Sequence, residues 1–166
     1  MALAAGLKSG DVDASVVKVD AVNLGDMGKV NLLCVGGPVH AWNISKPVRE
    51  FLERLKGVEG LSGKKAFAFD TKMKSRLAGD AAGKIERKLK TLGFAIVKPH
   101  ASAIVKGREG ELEETAEERF KQIGVELAKT LWSSVNSAEA NSRVRIWKIY
   151  VAQCPRQPRQ WALFSF

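Results

Sequence analysis

Short apolar runs alternate with helical stripes along this chain. Ala14–Val19 (ASVVKV) reads as a strand. Val30–Val35 (VNLLCV) reads as a second, and its near-continuous apolar face suits a parallel strand buried on both sides. Lys65–Phe69 (KAFAF) predicts a third, and Phe94–Val97 with Ala101–Val105 one interrupted strand or two short ones. Between them, Val48, Phe51, Leu52 and Leu55 fall on one helical face of Pro47–Leu55, with Ser45 placed as N-cap and Pro47 in the first turn. Ala82, Ile85, Leu89 and Leu92 make a second stripe over Ala81–Leu92, and Gly93 follows as a stop. Ala116, Phe120, Ile123, Leu127 and Leu131 make the longest, over Glu113–Leu131.

This alternation, with connections long enough for crossovers, predicts an α/β fold with a parallel sheet covered on both faces. Ligands in such sheets bind outside the C-terminal ends of the strands. The segments after Val35, Phe69 and Val105 are therefore the ones to inspect. The opening ALAAGLK resembles the second half of an amphipathic helix, whereas a doubly wound domain normally opens on a strand.

Composition changes this picture little. The chain has 166 residues, enough for one core, and an apolar fraction of 45%. Its formal charge is +9, from 27 basic and 18 acidic residues. That favours an anionic partner or a solvated basic surface, but no basic run with interleaved aromatics marks a nucleic-acid site. Cys34 lies in an apolar run and reads as a core residue; with Cys154 it makes neither a disulfide framework nor a metal spacing. Nothing resembles a signal peptide and no stretch approaches a membrane span, so the expected compartment is the cytoplasm.

The segment after Val35 reads GGPVHAWNISKPVREFL. Gly36 and Gly37 are expected to turn the backbone sharply and Pro38 to stiffen the turn, leaving His40 and Trp42 at the ligand edge. An exposed aromatic there stacks well on a flat ring; equally, Trp42 can fold back over the following helix, and both readings stand open. His40 has no carboxylate near in sequence, so edge packing competes with a proton-donor role. His100, after a proline, reads as solvent-facing. No Ser/His/Asp or Cys/His constellation is recognisable, and no catalytic residue or metal ligand is assigned.

From Lys29 to about Trp132 the chain resembles flavodoxin-family proteins in one register. VNLLCVGGPVHAW is similar to their third strand and the loop against which the isoalloxazine packs, and SKPVREFLERL to the helix that follows. GKKAFAFDTKMKSRLAGDAAGKIERKLKTLGFAIVKP resembles their fourth strand, second flavin-side loop, next helix and fifth strand. The resemblance implies a three-layer α/β/α fold, FMN as cofactor, and ring contacts from Gly37, Pro38, Val39, His40, Ala41 and Trp42. It implies a second loop from Asp70, Thr71 and Lys72 reaching towards Gly79. Lys72 would bring positive charge to the reduced flavin, although a solvated loop of Lys72, Lys74 and Arg76 is the competing reading. As partner it implies a redox protein or a quinone, with room for a homo-oligomer.

The chain departs from that family at its start. Flavodoxin-like proteins hold the FMN phosphate in a Ser/Thr/Gly-rich loop between their first strand and first helix; the early Ser9-Gly10 falls after the partial helix, so the family's phosphate residues transfer to no position here. The first strand lies inside the sheet in the order 2-1-3-4-5. Losing about four buried aliphatic side chains at ~1.5–3 kcal/mol each would rival the ~5–15 kcal/mol stability of a whole domain. Either neighbouring strands close up or another segment fills the slot. Arg143–Ala152 (RVRIWKIYVA) reads as a strand able to add in parallel, its alternation suiting an edge better than the centre. The expected organisation is a flavodoxin-like domain over 1–135 and a basic extension over 136–166. Two function classes follow: FMN-binding electron transfer, or an incomplete domain of this fold that binds no flavin and serves as a structural or interaction module. A third, weaker reading is an anion-binding module using the basic tail.

Overall fold

Helices form where apolar residues recur three and four apart, and strands where runs are buried on both sides. The computed structural model describes residues 2–10, 12–75, 78–106, 112–133 and 148–153. Helices α1 (Ala2–Lys8), α2 (Lys46–Leu55), α3 (Ala81–Thr91) and α4 (Glu114–Ser133) flank a sheet. Its strands are β1 (Ala14–Lys18), β2 (Val30–His40), β3 (Asn43–Ile44), β4 (Lys65–Met73), β5 (Ala95–Ile96), β6 (Ala101–Val105) and β7 (Lys148–Gln153). The strand order is β1-β7-β2-β4-β5, with β6 also on β4 and β3 on β2. Among the described strands only the short β3 runs antiparallel to its neighbour.

Alternate residues of β2 and β4 feed two cores, as a sheet covered on both faces requires. Leu32, Cys34, Phe67 and Phe69 pack with α1 and α4. Leu33, Val35, Ala66 and Ala68 pack with α2 and α3. All four stripe residues of α2 are buried, each worth ~1.5–3 kcal/mol of transfer free energy. Phe67 and Phe69 stack at 6.2 Å between centroids, and Phe69 meets Phe120 edge-on at 6.0 Å. Burial pushes the Cys34 thiol far above its ordinary pKa, so it acts as a small apolar residue.

The N-terminal helix is an integral part of this core. A methyl group on Gly6 would lie 1.9 Å from the Lys121 carbonyl oxygen, and one on Gly124 would lie 2.3 Å from that of Leu3. Only glycine at both places lets α1 and α4 approach to backbone contact. Ser45 precedes α2 as expected, but its side chain caps nothing and its Oγ is buried without a partner among the described residues.

The central slot of the sheet is filled by the chain's last described strand. Lys148–Gln153 runs parallel to both neighbours, Ala14–Lys18 on one side and Val30–Gly36 on the other. It takes the place the first strand holds in the order 2-1-3-4-5. The alternation of Val144, Arg145 and Ile146, which lie outside the described residues, suggests an edge; for Lys148–Gln153 the structure corrects this. The edge is β1, whose Ser15 and Val16 face solvent, and a parallel strand laid inside it gains a hydrogen-bonded ladder on both sides. Residues 134–147 and 154–166, Cys154 included, lie outside the described residues, as does Arg76.

Candidate functional site

The glycine pair does not turn the chain. β2 runs straight through it to His40 because β4 extends alongside, pairing Gly36 with Phe69, Gly37 with Asp70 and Pro38 with Thr71. The requirement at Gly36 is close approach: a methyl there would meet the Phe69 ring at 2.2 Å. For the same reason Asp70, Thr71 and Lys72 belong to strand β4 rather than to a loop. Asp70 and Thr71 are buried, and Lys72 is half-buried.

The turn comes later, at Ala41 and Trp42. These two residues link β2 to β3, with Val39 opposite Ile44 and His40 opposite Asn43. Both have positive φ, 46° and 59°. A two-residue hairpin loop of this handedness favours Asn-Gly, and a non-glycine residue held in it costs roughly 1–3 kcal/mol. Here Ala and Trp occupy it, so the surroundings must hold them there. Gly79, itself at φ 77°, packs so close that a methyl on it would lie 2.7 Å from the Trp42 Cα. Lys84 Nζ, from α3, donates to the Trp42 carbonyl at 2.9 Å and to Asn43 Oδ1 at 3.2 Å. Asn43 Oδ1 also accepts from the Ile44 amide at 2.9 Å. While its backbone is held on two sides, the Trp42 side of the loop stays open to solvent, the residue being 67% exposed. Pro38 and Val39 are half-buried, and His40 and Ala41 are exposed. The structure thus brings Gly79 to Trp42 and presents the Pro38–Trp42 segment at one end of the sheet.

Asp70 anchors the other side. One carboxylate oxygen, Oδ2, accepts from the Ala82 amide at 2.9 Å, and Asp80 caps the same helix by accepting from Gly83 at 2.9 Å. Oδ1 of Asp70 is buried as well. Burial raises the Asp70 pKa against the opposing effects of the Ser102 hydroxyl, the Ala82 amide and the Lys72 charge, while Asp80 adds a like charge. His100 is not simply solvent-facing: Nδ1 lies 2.8 Å from Glu86 and Nε2 3.6 Å from Asp80. Lys90 and His100 hold the Glu86 carboxyl down to about 2.

Lys84 and Asn43 escaped the sequence reading, because nothing in a helix stripe marks which lysine reaches back some forty residues to a hairpin. Asp80 was legible in principle as the polar residue before Ala81. Two shallow grooves are present among the described residues, one lined by Lys72, Met73, Lys74, Ser75 and Ile104, the other running between Glu86 and Lys98. Among the described residues no cluster of His, Cys, Asp and Glu suits a metal ion, and no helix is long and apolar enough to cross a membrane.

No family model matches the chain, and no curated protein matches it. Solved structures do. A flavodoxin from the domain Archaea superposes with a TM-score of 0.66 at 20% identity, covering 79% of this chain and 86% of that one. Oxidised flavodoxin 1 from Bacillus cereus gives 0.61 at 16%, covering 81% and 89%. Rubredoxin oxygen:oxidoreductase from Desulfovibrio gigas gives 0.66 at 17%. There the match covers 82% of this chain but 33% of the larger protein. Strand order, two-sided core and these superpositions agree: the chain has a flavodoxin-like fold.

Proposed function

We propose that this protein binds a flavin, FMN by the character of its structural neighbours, and passes electrons to a partner protein or quinone. One observation supports the reading most: an exposed indole on a strained hairpin that neighbouring elements hold in place. Strain of this kind concentrates at ligand sites, where a fixed geometry is useful. Trp42 would offer its face to the isoalloxazine, with Pro38, Val39, His40 and Ala41 along one edge and Gly79 behind the loop. Asp70, the buried carboxylate paired with Gly37 in the ladder, and Lys72 would add a polar margin. When bound, the flavin supplies one- or two-electron chemistry. The residues of the chain bind and orient it, and their charges tune its reduction. The phosphate of FMN has no assigned partner among the described residues, so recognition through the ring carries the reading.

Titration of the full chain with riboflavin and, in parallel, FMN tests it, followed by quenching of flavin fluorescence. Saturable binding of both, lost in Trp42→Ala, is expected. A folded protein that binds neither would leave the fold serving a structural or interaction role. A complex that binds but cannot be reduced and reoxidised by a quinone would remove the electron-transfer part alone.

A further inference from the structure

The hairpin that carries Trp42 has no reason of its own to stay where it is. Its two loop residues are in the left-handed region, and neither is glycine or asparagine. Its outer strand, β3, is two residues long. Gly79 backs it by close packing, and the hydrogen bonds that fix it come from α3. Lys84 spans from the first turns of that helix to two acceptors on the hairpin, the Trp42 carbonyl and Asn43 Oδ1. The base of this strut is itself rigid. α3 starts on the buried Asp70 carboxylate and on the Asp80 cap, and its Ala82, Gly83 and Ile85 are buried.

We propose that Lys84 is a positioning residue for the ring site: its ammonium holds the Ala41–Trp42 turn so that the indole is presented in one orientation before any ligand arrives. This rests on the flavin reading above for the ligand, and on the geometry alone for the strut. A charged donor suits the place, because it serves two carbonyl-type acceptors at once from a half-exposed position. Preorganisation raises affinity by removing ordering costs from the binding step.

The test compares Lys84→Met, which keeps the aliphatic stem and removes the donor, with Lys84→Arg, which keeps donor and charge. Riboflavin affinity is measured on the full chain. So is the NMR order parameter of the Trp42 indole N–H, assigned with Trp42→Phe. Both variants should unfold cooperatively in urea, since Lys84 is half-exposed. The expected result is riboflavin binding about tenfold weaker in Lys84→Met, equivalent to about 1.4 kcal/mol. The indole order parameter should also fall, and Lys84→Arg should stay near wild type in both. Unchanged affinity and an unchanged order parameter in Lys84→Met overturn the proposal while leaving flavin binding intact. If the wild type binds no riboflavin, the flavin reading fails, and the order parameter still decides the strut: a fall supports it and no change overturns it.

Discussion

Replacing Gly79 by alanine should separate the conformational demand of that position from its contact with the ring loop. Gly79 has φ 77°, and a methyl group there would approach the Trp42 Cα at 2.7 Å and its carbonyl oxygen at 3.0 Å. Both obstacles are backbone atoms, which a rotamer change cannot move. Gly60 provides the control, at φ 72° with open space where a methyl group would go. A left-handed alanine costs roughly 1–2 kcal/mol, partly offset by a stiffer unfolded chain, so Gly60→Ala should destabilise by about 1 kcal/mol. Gly79→Ala carries the same term and must also push the hairpin outward, straining the Lys84 bonds. Overpacking of this kind adds about 1–3 kcal/mol, for a total near 2–4 kcal/mol. Urea denaturation of both variants, with m-values checked for constancy, measures the difference. Equal losses in the two variants would refute the claim that Gly79 abuts Trp42.

Three further substitutions follow from the same geometry. Gly124→Ala should cost about 2–4 kcal/mol, read by urea midpoint, because its methyl would lie 2.3 Å from the Leu3 carbonyl and force α1 off α4. Asp70→Asn should stabilise the protein at neutral pH, read by urea midpoint, because burial raises the folded-state pKa above 3.8 and so disfavours the ionised form. The sign fixes the pH dependence: the wild-type cost is absent below 3.8 and grows as pH rises through the folded value, so the advantage of Asn should vanish in acid. Ala41→Gly should raise stability by about 0.5–1 kcal/mol in thermal unfolding, since it removes a side chain from a left-handed position; a loss would mean the turn is not strained.

Much of the fold was legible because its cores are simple. Apart from Asn31, VNLLCV is apolar on both faces, which a strand buried between two helical layers requires. The stripes of α2, α3 and α4 are regular enough to place each helix within a residue or two. What was hidden depended on partners far along the chain. Gly36, Gly37 and Pro38 look like a turn in isolation, but β4 supplies a ladder that carries the strand through them. Asp70 looks like a loop residue, since a carboxylate is seldom buried, yet the start of α3 gives it an amide to accept from. Ala-Trp gives no hairpin signal, because the usual Asn-Gly is replaced by restraint from Gly79 and Lys84. The end segment RVRIWKIYVA reads as a strand, and Lys148–Gln153 is one; its central place follows from the gap beside β2, which is a property of the whole sheet.

The central claim is that the Pro38–Trp42 segment, at the end of β2, is a flavin-ring site. Mapping riboflavin binding on the full chain by amide and indole chemical shifts tests it most directly. The account predicts saturable shifts at Gly37 to Trp42 and at Gly79, including the Trp42 indole N–H, with smaller ones at Asp70 to Lys72. Shifts confined to the grooves near Met73 or Val97, or none in a well-dispersed spectrum, would contradict it.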